Sequence, residues 1–200
     1  MFNDKYKLTQ AVLDGRKVVT RRIVSPQPTY SELTGVNWKG SAYGLWSSDN
    51  PRLAYRNFIN GTDYDRSCTR YRSGEVLAIA QRYSEVEWHL IELLGDPLYN
   101  KYCISSCSGF NNKMFVKADL MPHRIDILDV RLERMQDITE EDCLREGIDK
   151  LWDGSYGIDG VFEGHGTAKH AFCYLIDELS GKGTFESNPF VYRYEFKRVK

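Results

Sequence analysis

The residues best suited to chemistry begin with a lysine and a threonine three positions apart, Lys17 and Thr20, inside the stretch GRKVVTRR that runs from Gly15 to Arg22. A lysine amine with a lowered pKa can take the proton of a threonine hydroxyl, making its oxygen a nucleophile towards an acyl carbon. On a regular strand two residues three apart point to opposite faces. The pair therefore converges only if the chain is still turning at Lys17, which the helix stop at Gly15 allows. If it does not converge, the same residues are a polar strand face. A third candidate lies far along the chain. Glu146 falls in the last turn of an expected helix, where the dipole disfavours a carboxylate by roughly 0.3–1 kcal/mol and raises its pKa. A carboxyl so placed can accept or donate a proton. The plainer alternative is an exposed glutamate neutralised by Arg145 or Lys150.

Cations crowd the same stretch. Arg16, Lys17, Arg21 and Arg22 make a local basic patch, and Arg52, Arg56, Arg66, Arg70 and Arg72 recur beside Tyr55, Tyr64 and Tyr71. Cations interleaved with aromatic rings suit single-stranded RNA or a nucleotide, with phosphates on arginine and bases stacked on rings. Asp63 and Asp65 dilute that patch, and a solvated, salt-bridged loop accounts for the same residues. Arg21 reads as surface charge, or as a contact if RNA is the partner. No metal and no cofactor is expected. Cys103 with Cys107, and His165 with His170, lack the paired close spacings of a zinc site, and no dinucleotide fingerprint or phosphate loop is present. His89 reads as structural, and nothing singles out one serine for a Ser/His/Asp constellation.

Composition bounds the setting. With 200 residues, 42% hydrophobic and 28% charged, the chain suits one soluble domain with a real core. A formal net charge of -1 and a pI of about 6.4 leave no global field to gather polyanions, so nucleic acid would have to be held by a local patch. No stretch is long and apolar enough to span a bilayer, and the opening MFNDKYKLTQ lacks the apolar core of a signal peptide. Five scattered cysteines, Cys68, Cys103, Cys107, Cys143 and Cys173, read as reduced thiols in a cytoplasmic protein.

The elements that must position these residues follow from periodicity. Leu8, Ala11 and Val12 mark a short helix ending at Gly15, and the β-branched Val18, Val19, Thr20 and Ile23 a strand anchored by Val19 and Ile23. Residues 25–73, punctuated by proline and glycine, read as a partly ordered insertion. SGEVLAIAQR predicts a turn and a strand buried on both faces; SEVEWHLIELLG predicts a helix with Ser84 and Glu87 as its capping box and a stripe of Val86, Leu90, Leu93 and Leu94. Residues 96–112 read as a polar loop. KMFVKADL alternates like a strand, and in RIDILDVRL the alternation slips by one near Ile127, which predicts a β-bulge. Thr139 should cap a helix whose first turn holds Glu140, Glu141 and Asp142 and which stops at Gly147. A glycine-rich loop, a helix striped by Ala168, Ala171, Phe172, Leu175, Ile176 and Leu179, and a closing strand with one aromatic face (Phe190, Tyr192, Tyr194, Phe196) complete the chain. The sum is α+β: a small curled sheet or barrel decorated by helices.

LDGRKVVTRR resembles the signature of the ASCH family, Gly-x-Lys-x-x-(Glu or Thr)-x-Arg, met here by Gly15, Lys17, Thr20 and Arg22. SGEVLAIAQR resembles that family's next strand, RIDILDVRLERMQDITEEDCLREGI its strand-plus-helix segment, and NPFVYRYEFKRV its closing strand. The likeness is greatest to ASCH-type proteins encoded by bacteriophages and prophages. It implies a PUA-like curled β-barrel over 1–200, with 25–73 and 84–112 as insertions, that binds a nucleoside or RNA. In one branch, the small bacterial acetylcytidine amidohydrolases, a lysine, a threonine three residues later and a glutamate in the later short helix are catalytic; these fall on Lys17, Thr20 and Glu146. The resemblance thus implies an amidohydrolase acting on an acylated nucleoside, with Arg16, Arg21 and Arg22 as contacts to substrate or RNA. The alternative is a non-catalytic single-stranded RNA-binding module, or a ribonuclease, on the same fold.

Overall fold

The computed structural model describes residues 2–25, 27, 29–31, 35–37, 70–94 and 105–199. In chain order the elements are α1 (Leu8–Leu13), β1 (Val19–Ile23), β2 (Thr29–Ser31), β3 (Gly35–Asn37), β4 (Val76–Ala78) and α2 (Glu87–Leu94). They continue with β5 (Arg124–Arg134), α3 (Glu140–Arg145), β6 (Asp149–Lys150), β7 (Tyr156–Ile158), β8 (Phe162–His165), α4 (Ala168–Ser180) and β9 (Phe190–Val199). The arginines and tyrosines between 52 and 66, with Asp63, Asp65, Cys68 and Cys103, lie outside the described residues.

A four-stranded antiparallel sheet in the order β1-β9-β5-β4 curls into a half-barrel. The curl has a local cause. Ile127 faces Phe196 and Asp129 faces Glu195, which leaves Leu128 as the unpaired extra residue of a bulge, 44% exposed. The slip keeps Ile125, Ile127 and Val130 on the inner face, where they meet Val12, Ile79, Tyr192, Tyr194 and Phe196. The other face of β9 is covered as well. Val191 packs against the apolar stripe of α4 (Ala168, Ala171, Phe172, Leu175, Ile176) together with Met135, Ile138 and Ile148. Each large side chain buried there is worth about 1.5–3 kcal/mol. The closing strand therefore runs through the centre of the molecule, with its aromatic side turned to one core and Val191 and Arg193 to the opposite face.

Several expectations are corrected. KMFVKADL is not a strand but two single 3-10 turns, Lys113–Phe115 and Ala118–Leu120. Asn112 accepts from the Met114 amide and the Tyr83 hydroxyl from the Lys117 amide, so local side chains capture groups that a strand would have needed. Among the described residues β4 is an edge strand paired only to β5, and Val76 is half exposed rather than buried on both sides. Ser84 does not cap α2. Its hydroxyl donates to the Phe110 carbonyl, while the Arg82 amide donates to the Glu85 carboxylate ahead of a short 3-10 turn. Val86 and Leu90 are buried, but Leu93 and Leu94 are exposed. The glycine-rich stretch after Gly147 folds into the small sheet β6-β7-β8, and Ile23, at the end of β1, is too exposed to anchor it.

Candidate active site

Gly15, at φ +75°, ends α1, after which the Ala11 carbonyl accepts from the amides of both Arg16 and Lys17. The chain is thus still turning at Lys17, and β1 begins only at Val19. Across from it, α3 is capped by the Thr139 hydroxyl, which accepts from the Asp142 amide. The helix closes with a Schellman motif: the Gly147 amide donates to the Leu144 carbonyl and the Ile148 amide to the Cys143 carbonyl, with Gly147 at φ +99°. Two carbonyls at this end then receive donors from the β1 side. Arg145 C=O accepts from the Val18 amide at 2.9 Å, and Glu146 C=O from Lys17 Nζ at 2.6 Å. Backbone and side chain together lock the start of β1 onto the end of α3.

The same lysine donates to Glu146 Oε2 at 2.5 Å. Both partners are buried, Lys17 at 2% and Glu146 at 4% exposure. Burial lowers the Lys17 pKa, and the attraction of Glu146 opposes that only in part. Glu146 is not an exposed acid neutralised by Arg145 or Lys150; its partners are Lys17 and Arg21, whose Nη1 donates to Oε1 at 3.1 Å.

Arg21 is the largest departure from expectation. It is neither surface charge nor open to RNA, since its side chain is 1% exposed and all of its guanidinium is engaged. Nε donates to Glu133 at 2.6 Å and Nη2 to Asp142 at 2.7 Å. Arg193 binds Asp142 through two contacts of 3.1 and 3.2 Å and Glu195 through a third, and Arg145 closes the set on Glu195 and Asp142. Four cations (Lys17, Arg21, Arg145, Arg193) balance four carboxylates (Glu133, Asp142, Glu146, Glu195) on one face of the sheet. Burial pushes the Asp142 pKa up, but hydrogen bonds from Arg193 and Arg21 overcome it and hold it at about 2. Glu133 is raised by burial, which outweighs the attraction of Arg21.

Lys17, Thr20, Arg21, Arg22 and Glu146 line one cavity of about 630 Å³, with Leu8, Met135 and Phe172 as its apolar wall. That volume is in the range of small-molecule sites. Thr20 is half-buried and stands opposite Tyr194, while Arg22 is exposed opposite Tyr192. Arg16 is not part of this group. It pairs with Asp149 at 2.7 Å and Asp14 at 3.2 Å and lines a separate cleft beside Trp152. Glu133, Asp142 and Arg193 were missed by sequence reasoning. The available signal was parity: Arg21 shares the strand face of the wholly buried Val19 and so had to find acids inside.

Among the described residues no group of histidine, cysteine, aspartate and glutamate is placed to hold a metal ion, and no helix is long and apolar enough to cross a membrane. Comparison with protein families, with curated proteins and with solved structures gives no match.

Proposed function

We propose that the chain is an ASCH-like protein of PUA-like fold that recognises a nucleoside or RNA base and hydrolyses an amide on it, as in an acetylated cytidine. One observation carries the reading: a fully buried lysine and glutamate in contact at 2.5 Å on the wall of a cavity that Thr20 also lines. Desolvation offsets much of the attraction between two charges buried together, so the pair is not explained by stability alone. Here the lowered Lys17 pKa makes a neutral amine accessible, and Glu146 is the group beside it that can take the displaced proton. In the proposed reaction Lys17 takes the Thr20 proton and the threonine oxygen attacks the acyl carbon. The C–N bond breaks as Glu146 returns a proton to the departing amine. Water, deprotonated by the same carboxylate, then cleaves the acyl ester and restores Thr20. Arg22 orients an oxygen of the ligand at the cavity rim.

The test is to incubate the protein with acetylcytidine and follow cytidine by chromatography. Turnover should fall by about 10²–10⁴-fold in Lys17→Ala and Thr20→Val and recover in part in Thr20→Ser, which keeps a hydroxyl. No cytidine at high enzyme concentration, or unchanged turnover in the variants, overturns the assignment.

A further inference from the structure

Glu146 is gripped from two sides. Lys17 Nζ donates to Oε2 at 2.5 Å, and Arg21 Nη1 donates to Oε1 at 3.1 Å. One carboxylate thus sits between two cations; all three side chains are at most 5% exposed, and all three line the same cavity. The two cations are not equivalent. An arginine keeps its charge at any pH the fold survives, whereas a buried lysine gives up its proton readily. Burial works against the Arg21 charge, but Glu146 and Glu133, with the hydrogen bond to Asp142, outweigh it.

This arrangement bears on the state of Lys17. A glutamate with no other cation would hold a buried lysine as an ammonium, since each would be the other's only compensation. With Arg21 on its second oxygen, Glu146 is already compensated, and an ammonium at Lys17 would be a second cation on one anion. The hydrogen bonds fit the neutral form. Both acceptors of Lys17 Nζ belong to Glu146, its carboxylate and its own carbonyl at 2.6 Å. A neutral amine has two N–H groups to meet them and a lone pair left over.

Every element packed around the pair brings charge. Burial lowers the Lys17 pKa most, Glu146 opposes it, and Arg22 and Arg21 on β1 add to the lowering. β5 brings Glu133 and α3 brings Asp142, both bound to Arg21. β9 brings Arg193 and Glu195, which bind one another, and Arg145 of α3 joins them to Asp142. The Cys143 thiol, pushed up to about 12 chiefly by burial, is neutral beside them.

We infer that Arg21 is a positioning residue of this site: it is the permanent counter-ion of Glu146 and thereby leaves Lys17 free to stand as a neutral amine. Glu133 and Asp142 hold the guanidinium in place and temper its field. That Lys17 then serves as a base rests on the proposed function; the division of charge between the two cations does not.

The experiment is nuclear magnetic resonance of the full chain carrying isotope-labelled lysine, with the Lys17 side-chain signal followed against pH and assigned by its loss in Lys17→Arg. In the wild-type protein it should titrate below the ordinary lysine value of about 10.4. Arg21→Gln should raise that midpoint by about one unit or more. Arg21→Lys, which keeps the charge, should restore most of the difference, and Glu133→Gln, which removes an opposing acid, should lower the midpoint. Circular dichroism checks each fold; should Arg21→Gln not fold, the downward movement in Glu133→Gln decides. The pH at which turnover of acetylcytidine rises should move with the midpoint, whereas a purely structural role would lower the rate at every pH. A wild-type midpoint at the ordinary value, an unmoved midpoint in folded Arg21→Gln, an equal rise in Arg21→Lys, or no fall in Glu133→Gln overturns the inference. Midpoints that move as stated without hydrolysis of acetylcytidine would remove the proposed function and leave this inference. Hydrolysis whose pH dependence is indifferent to Arg21→Gln would do the reverse.

Discussion

Replacing Arg21 by alanine is the sharpest test of the charge network. The guanidinium is wholly engaged, at 2.6 Å from Glu133, 2.7 Å from Asp142 and 3.1 Å from Glu146. Its removal leaves Glu133, among the described residues, with only the weaker attraction of Arg193, while Glu146 keeps Lys17 and Asp142 keeps Arg193. Breaking a buried pair in this way costs about 3–5 kcal/mol, a large part of the roughly 5–15 kcal/mol that holds a domain folded. The melting temperature of a chain this size should fall by roughly 10 °C. The loss should also depend on pH. Asp142 has a folded pKa of about 2 against 3.8 for an ordinary aspartate, so its stabilisation is present above pH 4 and disappears as pH falls towards 2. With solvent screening allowed for, that contribution is about 1–2 kcal/mol. Without Arg21 both Asp142 and Glu133 titrate higher, so the gap between wild type and variant should be widest at neutral pH and narrow in acid. Urea denaturation followed by circular dichroism at neutral and acidic pH measures it. A cycle with Asp142→Asn should show coupling of about 0.5–3 kcal/mol. A loss below about 1 kcal/mol at neutral pH, a gap that does not change with pH, or simple additivity would refute the reasoning.

Other outcomes follow from the same geometry. Gly147→Ala places its new methyl group 3.5 Å from Ala11 and Lys17, which is ordinary contact, but at φ +99° it should cost about 1–2 kcal/mol in chemical denaturation. Thr139→Ala removes the cap of α3 and should cost about 1 kcal/mol in the same assay. Cys143 is buried with its thiol pKa pushed up to about 12, chiefly by burial, so alkylation at pH 8 followed by mass spectrometry should label the exposed Cys107 and spare Cys143. If Lys17 acts as a base, turnover should rise with pH over a range below the ordinary lysine value and then level off; a rate flat across that range would contradict the role given to it.

The fold was legible where a pattern repeats. The stripe of α4, the alternation of β9 and the slip at Ile127 each carry several residues that agree with one another, so burial reads straight from period. KMFVKADL had the same alternation but forms two 3-10 turns instead of pairing with a strand, and pairing is not written in a single segment. At the site, the turn at Gly15 and the stop at Gly147 were visible as glycines, and the meeting of Lys17 with Glu146 required both. Arg21 was misread because charge was allowed to outweigh parity. Its partners come from two separate segments, β5 and α3 with the residue that ends it, and no local pattern joins them to β1.

The position of β9 also sets an order of events. This strand lies between β1 and β5, and among the described residues β1 reaches the rest of the main sheet only through it. As the chain leaves the ribosome, the first strand must wait until residues 190–199 have been made before it has its partner. Loop closure over such a separation is slow, and in the interval the apolar side of β1 and the stripe of α4 are uncovered. Completion of the sheet and assembly of the Lys17 cavity are therefore one late step. A chain stopped short of residue 190 would be exposed to chaperones or aggregation, and could not be a smaller working version of the protein.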